Sequence, residues 1–106
     1  MINAKVEEIA KHYGYDAQSR QLIEEMAELT QAINKFWRKR SGKDLVPEST
    51  QELLSMPEYH QISSEMADVY IMLEQIRYLL HIDDTELQQD MDYKIQRIIK
   101  RMYEHD

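Results

Sequence analysis

The chain has 106 residues, enough for one domain that buries roughly 60 to 70% of the surface its unfolded form exposes. A formal net charge of -7 argues against a nucleic-acid backbone or an anionic membrane as partner and suits cation binding. Cysteine is absent, which excludes disulfides, thiolate metal sites and cysteine nucleophiles.

With 2 Gly and 2 Pro among many Glu, Gln, Met, Leu, Ile and Lys residues, the composition favours helices and offers little material for strand turns. The opening "MINAKVEEIAKHYG" lacks the unbroken apolar run of a signal peptide. No segment approaches the roughly 18 apolar residues of a membrane span, so a cytoplasmic protein is expected.

In chain order, the segment from about Asn3 to Tyr13 places Val6, Ile9, Ala10 and Tyr13 at helical spacing and meets Gly14, a C-terminal stop. A second helix is expected from Asp16, as N-cap, through "QSRQLIEEMAELTQAINKFWRKR" to about Arg40, with basic residues in its last turns. Ser41 and Gly42 break it. "GKDLVPESTQELLSMPEYHQ", which holds both prolines, reads as a long connection with a helical turn or two, capped by Ser49 and Glu52. Ser55, Met56, Pro57 and Glu58 carry the signature of a capped start for a third long helix, to about His81. Asp83 and Glu86 then offer a capping box for a final helix with Leu87, Met91, Ile95, Ile98 and Met102 on one stripe. The expectation is a single all-α domain over residues 1–106, a bundle of about four main helices.

Two stretches, "IEEMAEL" and "SEMADVYIM", set carboxylates into apolar segments at three-residue spacing. At about 100 degrees per residue, Leu22, Met26, Leu29, Ile33 and Phe36 define the core stripe of the second helix. Glu25 then falls roughly 60 degrees from its centre and Glu28 roughly 120 degrees on the same side, flanked by Gln21 and Ala32, while Glu24 lies nearly opposite. On the third helix the stripe is Ile62, Met66, Val69, Leu73, Ile76 and Leu80. Glu65 lies only about 40 degrees from its centre and Asp68 about 100 degrees. Acids gathered this way repel one another and lose hydration unless a cation joins them. Oxygen-only ligation suits Mg2+ or Mn2+, and the Glu-x-x-His pair of carboxylate-bridged di-iron bundles is missing. On the last helix Asp90, Lys94, Arg97 and Arg101 share one flank, and cations beside a divalent metal are what a polyphosphate needs.

These residues resemble the all-alpha nucleoside triphosphate pyrophosphohydrolases, in particular the MazG-like branch. The family pattern E-E-x-x-E followed by E-x-x-D is met by Glu24, Glu25 and Glu28, then Glu65 and Asp68, and the likeness runs from "HYGYDAQSRQLIEEMAELTQAI" through "EMADVYIMLEQI" to "YKIQRIIKR". The resemblance implies cleavage of a nucleoside triphosphate, a deoxy or non-standard one included, between the alpha and beta phosphates to give a monophosphate and pyrophosphate. It implies magnesium ligation by Glu25, Glu28, Glu65 and Asp68, phosphate binding by Lys94 and Arg97, and an oligomer. Two departures stand out. The 36 residues between Glu28 and Glu65 make a longer connection than the compact MazG repeat has, and Asp92 replaces an asparagine two residues before the lysine. The related phosphoribosyl-ATP pyrophosphatases carry a histidine after the E-x-x-D aspartate, and Val69 to Leu73 holds none.

Glu24, or a member of the Glu25 and Glu28 pair, is the candidate to orient or deprotonate an attacking water, and Gln21 is a further candidate for substrate contact. "KFWRKRSGK" could bring Trp37 against a base and Arg38, Lys39 or Arg40 against phosphates, although Trp37 lies on the helix edge opposite Glu25 and a shared pocket would need a second chain. No serine and histidine pair or glycine-rich phosphate loop is evident, and His12, His60, His81 and His105 are scattered. The expected partners are a nucleoside triphosphate and further copies of the chain, as dimer or tetramer, with no nucleic acid and no membrane. The rival reading is a non-catalytic helical interaction module whose acidic pairs only set helix association.

Overall fold

A computed structural model describes residues 4–40 and 50–105, and the side chains of 4–40 and 51–104. The expected break at Ser41 and Gly42, and Ser49 of the first capping pair, lie outside the described residues. Four helices occur among those residues and no strand: α1 (Ala4–Lys39), α2 (Thr50–Leu54), α3 (Pro57–Leu79) and α4 (Asp84–His105). Among the described residues no helix is long and apolar enough to cross a membrane.

The all-helical expectation holds, with differences at the ends of the elements. Gly14 adopts φ 84 and ψ 172, outside the helical region, so it bends α1 into two arms as a kink and not as a full stop. Space around it is open, and the positive φ alone calls for glycine. The helix resumes at once, which leaves Asp16 inside it instead of capping it; the Ser19 hydroxyl donates to the Asp16 carbonyl at 3.1 Å. The start of α3 is also set differently. Met56 occupies the N-cap with extended backbone and no side-chain cap, Pro57 begins the helix, and the Ser55 hydroxyl donates back to the Glu52 carbonyl at 2.8 Å. Proline, already fixed in φ and lacking an N–H, makes the capping serine dispensable.

The end of α3 is a six-residue closure around His81 at φ 58. The Ile82 N–H donates to the Arg77 carbonyl and the His81 N–H to the Tyr78 carbonyl, the pairing that ends helices through a left-handed residue. Arg77 braces the corner, donating to the Ile82 carbonyl at 2.9 Å and pairing with Asp84 at 3.1 Å across the junction. Asp83 caps α4 on one side only, accepting from the Thr85 N–H at 3.4 Å.

The core lies between α1 and α3, with α2 against α3 and α4 packed on none of the others. A hydrogen bond from Gln18 to Gln75, 2.7 Å long and buried, sets the register of this antiparallel pair. Inward positions on α1 are Gln18, Leu22, Glu25, Leu29, Ala32 and Phe36; on α3 they are Glu58, Ile62, Glu65, Val69, Met72, Ile76 and Leu79, with Gln75 buried beside them. Both sets alternate steps of four and three, the 3.5-residue period of helices packed along a common seam. Small Ala32, 1% exposed, lets the two backbones approach.

The seam corrects the expected stripes. Leu22, Leu29, Phe36, Ile62, Val69 and Ile76 do turn inward, but Met26, Ile33, Met66, Leu73 and Leu80 are 41 to 49% exposed. A stripe fitted to the apolar residues alone gives them weight they lose when only one partner helix is present. The seam instead takes in Ala32, Met72 and the two glutamates. In an antiparallel pair, helical geometry then puts Met26, Ile33, Met66 and Leu73 on one broad face and Glu28, Asp68, Lys35 and Gln61 on the other.

Candidate metal centre

The register locates the acids. Seven residues on from Gln18 and seven back from Gln75, Glu25 stands level with Asp68; three further, Glu28 stands level with Glu65. Glu25 and Glu65 occupy seam positions that a core would fill with Leu or Ile, while Glu28 and Asp68 sit one step out, on the polar face. Carboxylate oxygens of Glu25, Glu28 and Glu65 all lie within 4.8 Å of one another. Asp68 is exposed and is not among the converging carboxylates, so three of the four expected ligands come together.

Glu28 is exposed, while the environment of the other two is partly shielded from solvent. Glu25 and Glu65 are half-buried, and one carboxylate oxygen of each (Oε2) is shut off from solvent without a hydrogen-bond partner among the described residues. The other oxygen of Glu25 accepts from the Gln21 amide at 2.8 Å, which orients the carboxylate. An ionised oxygen buried without a donor is costly, and among the described residues no Lys or Arg forms an ion pair with the group. The donor set is hard oxygen, as Mg2+ or Mn2+ requires, and the two orphaned oxygens fit such an ion.

Other expected residues fall in different places. Glu24 is exposed on the outer side of α1. Trp37 is 54% exposed, on the broad apolar face and not on the acidic one. Lys94 and Arg97 are exposed on α4, which does not pack against the acid-bearing pair; the Arg97 guanidinium sits 5.9 Å from the Tyr93 ring centroid. A single chain therefore does not bring the expected phosphate ligands to the acids.

The structure offers different cations. On the same polar face, Gln31, Asn34, Lys35, Arg38 and Gln61 line a hollow of about 200 Å³. Gln61 is one turn from Glu65, and Lys35 two turns from Glu28. Sequence reasoning noticed Arg38 only within a basic helix end and passed over Lys35, Asn34 and Gln61. Their signal is the seven-residue step that repeats the face of Glu28, visible once the seam period is known to be 3.5. A second hollow of about 310 Å³, largely apolar, is lined by Phe36, Leu53, Tyr59, Ile62, Ser63 and Met66. No family model, curated protein or solved structure matches this chain, and the pyrophosphohydrolase resemblance rests on the residues themselves.

Proposed function

We propose that the protein is a magnesium-dependent pyrophosphohydrolase of nucleoside triphosphates, cleaving between the alpha and beta phosphates to release a monophosphate and pyrophosphate. The observation that carries this reading is the meeting of Glu25, Glu28 and Glu65 with two carboxylate oxygens buried and unpartnered. Mg2+, or Mn2+ in its place, would be held by these three, with Asp68 one step away as a fourth donor. When bound, the cation supplies charge neutralisation for the polyphosphate and an acidified water.

The remaining parts of the reaction fall to the chain. Gln21 keeps Glu25 oriented through its amide. Glu25, within the cluster, or Glu24, on the outer side of α1, would take the proton of the attacking water. Lys35 and Arg38, with Asn34 and Gln61, form a cationic and polar hollow that would take phosphate oxygens, and Arg38 can do so bidentately. Lys94 and Arg97 keep the phosphate-binding role that the resemblance assigns only if a second chain presents them.

The test is release of pyrophosphate from a panel of canonical and modified triphosphates, with and without Mg2+. We expect turnover only with the metal, and at least a 100-fold loss in Glu28→Ala and in Asp68→Ala with helicity retained. Inactivity of correctly folded wild-type protein on every triphosphate would leave the interaction-module reading standing.

A further inference from the structure

The helix that packs on nothing carries the strongest apolar stripe of the chain. All side chains of α4 from Asp84 to Glu104 are exposed, including Leu87, Met91, Ile95, Ile98 and Met102 on one face. That stripe does not end in open solvent at its start. Leu87 and Met91 meet Tyr70, Leu73 and Ile76 of α3 across an open groove of about 660 Å³, whose walls are overwhelmingly apolar. The groove continues the broad apolar face of the α1/α3 pair, and Arg77, pairing with Asp84 and the Ile82 carbonyl, holds its corner. An isolated amphipathic helix of this length is marginal in water, so α4 needs a partner to be stable.

The size of the uncovered surface points to what that partner is. The chain exposes 8574 Å² at 12.8 kDa, whereas a folded monomer of that mass exposes about 6,300 Å². The radius of gyration is 17.3 Å against about 13 Å for a compact chain of this length. Two copies hiding half of that excess from each other would bury about 2,300 Å² in total, already within the range of obligate homodimers. Charge gives the direction. Residues 84–93 of α4 include Asp84, Glu86, Asp90 and Asp92 and no Lys or Arg; the next turns carry Lys94, Arg97, Lys100 and Arg101. Parallel helices would set like charges side by side. Antiparallel ones set the acidic half of each against the basic half of the other, with Asp90 opposite Arg97 and Arg101 when the apolar stripes are centred.

We infer that the chain is a twofold dimer in which α4 lies antiparallel on α4 of a second copy, filling the groove between α3 and α4, with Ile95 next to the symmetry axis. This does not depend on the metal-site reading, and it stands or falls separately. The chain has no cysteine, which permits a clean test on the full-length protein. Light scattering should give a mass of two chains or an even multiple, and Ile95→Cys should cross-link between copies on mild oxidation. Leu87→Cys and Met102→Cys should not, because each would face the far end of the partner helix. Asp90→Arg and Arg101→Asp should each weaken association at least tenfold, and the double variant should recover most of it. A monomer at 100 μM, equal cross-linking at all three positions, or no recovery in the double variant would overturn the inference.

Discussion

At Glu65 the chain accepts a carboxylate where packing asks for an aliphatic side chain, beside two further glutamates whose oxygens lie within 4.8 Å. Without a cation that arrangement is unfavourable, so neutralising it should stabilise the protein. Glu65→Gln is expected to raise metal-free stability by roughly 1 kcal/mol, the scale of partly screened like-charge repulsion. The same variant should lose the rise in melting temperature that Mg2+ gives the wild type. Metal and fold thereby become linked in one measurement. If Mg2+ leaves the wild-type transition unmoved, the centre does not hold the ion. The buried Gln18 and Gln75 pair makes the second residue-scale case. Gln75→Leu strands the Gln18 amide and should cost about 1–3 kcal/mol, whereas Gln18→Leu with Gln75→Leu should recover much of it, as denaturant titrations of the four proteins in a double-mutant cycle would show.

Among the elements, the corner between α3 and α4 is the most sharply specified. His81 holds a left-handed conformation that a side chain adopts at a cost near 1 kcal/mol, and the two closing hydrogen bonds keep it there. His81→Gly should therefore move the denaturation midpoint upward, by roughly 0.5–1 kcal/mol in stability, without altering helix content by circular dichroism. A decrease would mean that the greater freedom of glycine in the unfolded chain outweighs the relief of strain. Gly14 shows the converse. Its φ of 84 sits in open space, so alanine there would clash with nothing and still be strained, and the two arms of α1 would no longer meet at their present angle.

On the scale of the whole molecule, the α1/α3 pair presents two unlike faces. One carries the glutamates together with Lys35, Arg38 and Gln61; the other carries Met26, Ile33, Met66 and Leu73, exposed in the single chain. Apolar surface of that extent, continuous with the groove to α4, is what an associating protein shows and a monomer avoids. The division has a functional consequence. Association through the apolar face would leave the acidic face open to the proposed triphosphate, so dimer formation and metal binding can be measured, and can fail, one at a time.

Much of this was legible before any coordinates. Helical period, the proline at the start of α3, the acid-rich start of α4 and the paired carboxylates are local features, set by propensity and by spacing of three to seven residues. Those are enough to place Glu25, Glu28 and Glu65 near one another once the helices pair. The pairing itself is not local. Whether the seam runs through Met26 or through Glu25 and Ala32 depends on the register fixed by Gln18 and Gln75, 57 residues apart, and on how many helices share the core. With one neighbour instead of three, each helix buries a stripe of 3.5-residue period and leaves its second apolar edge outside. That geometry sends α4 with Lys94 and Arg97 away from the acids and leaves Lys35 and Arg38, two turns or more along α1 from Glu28, on the acidic face.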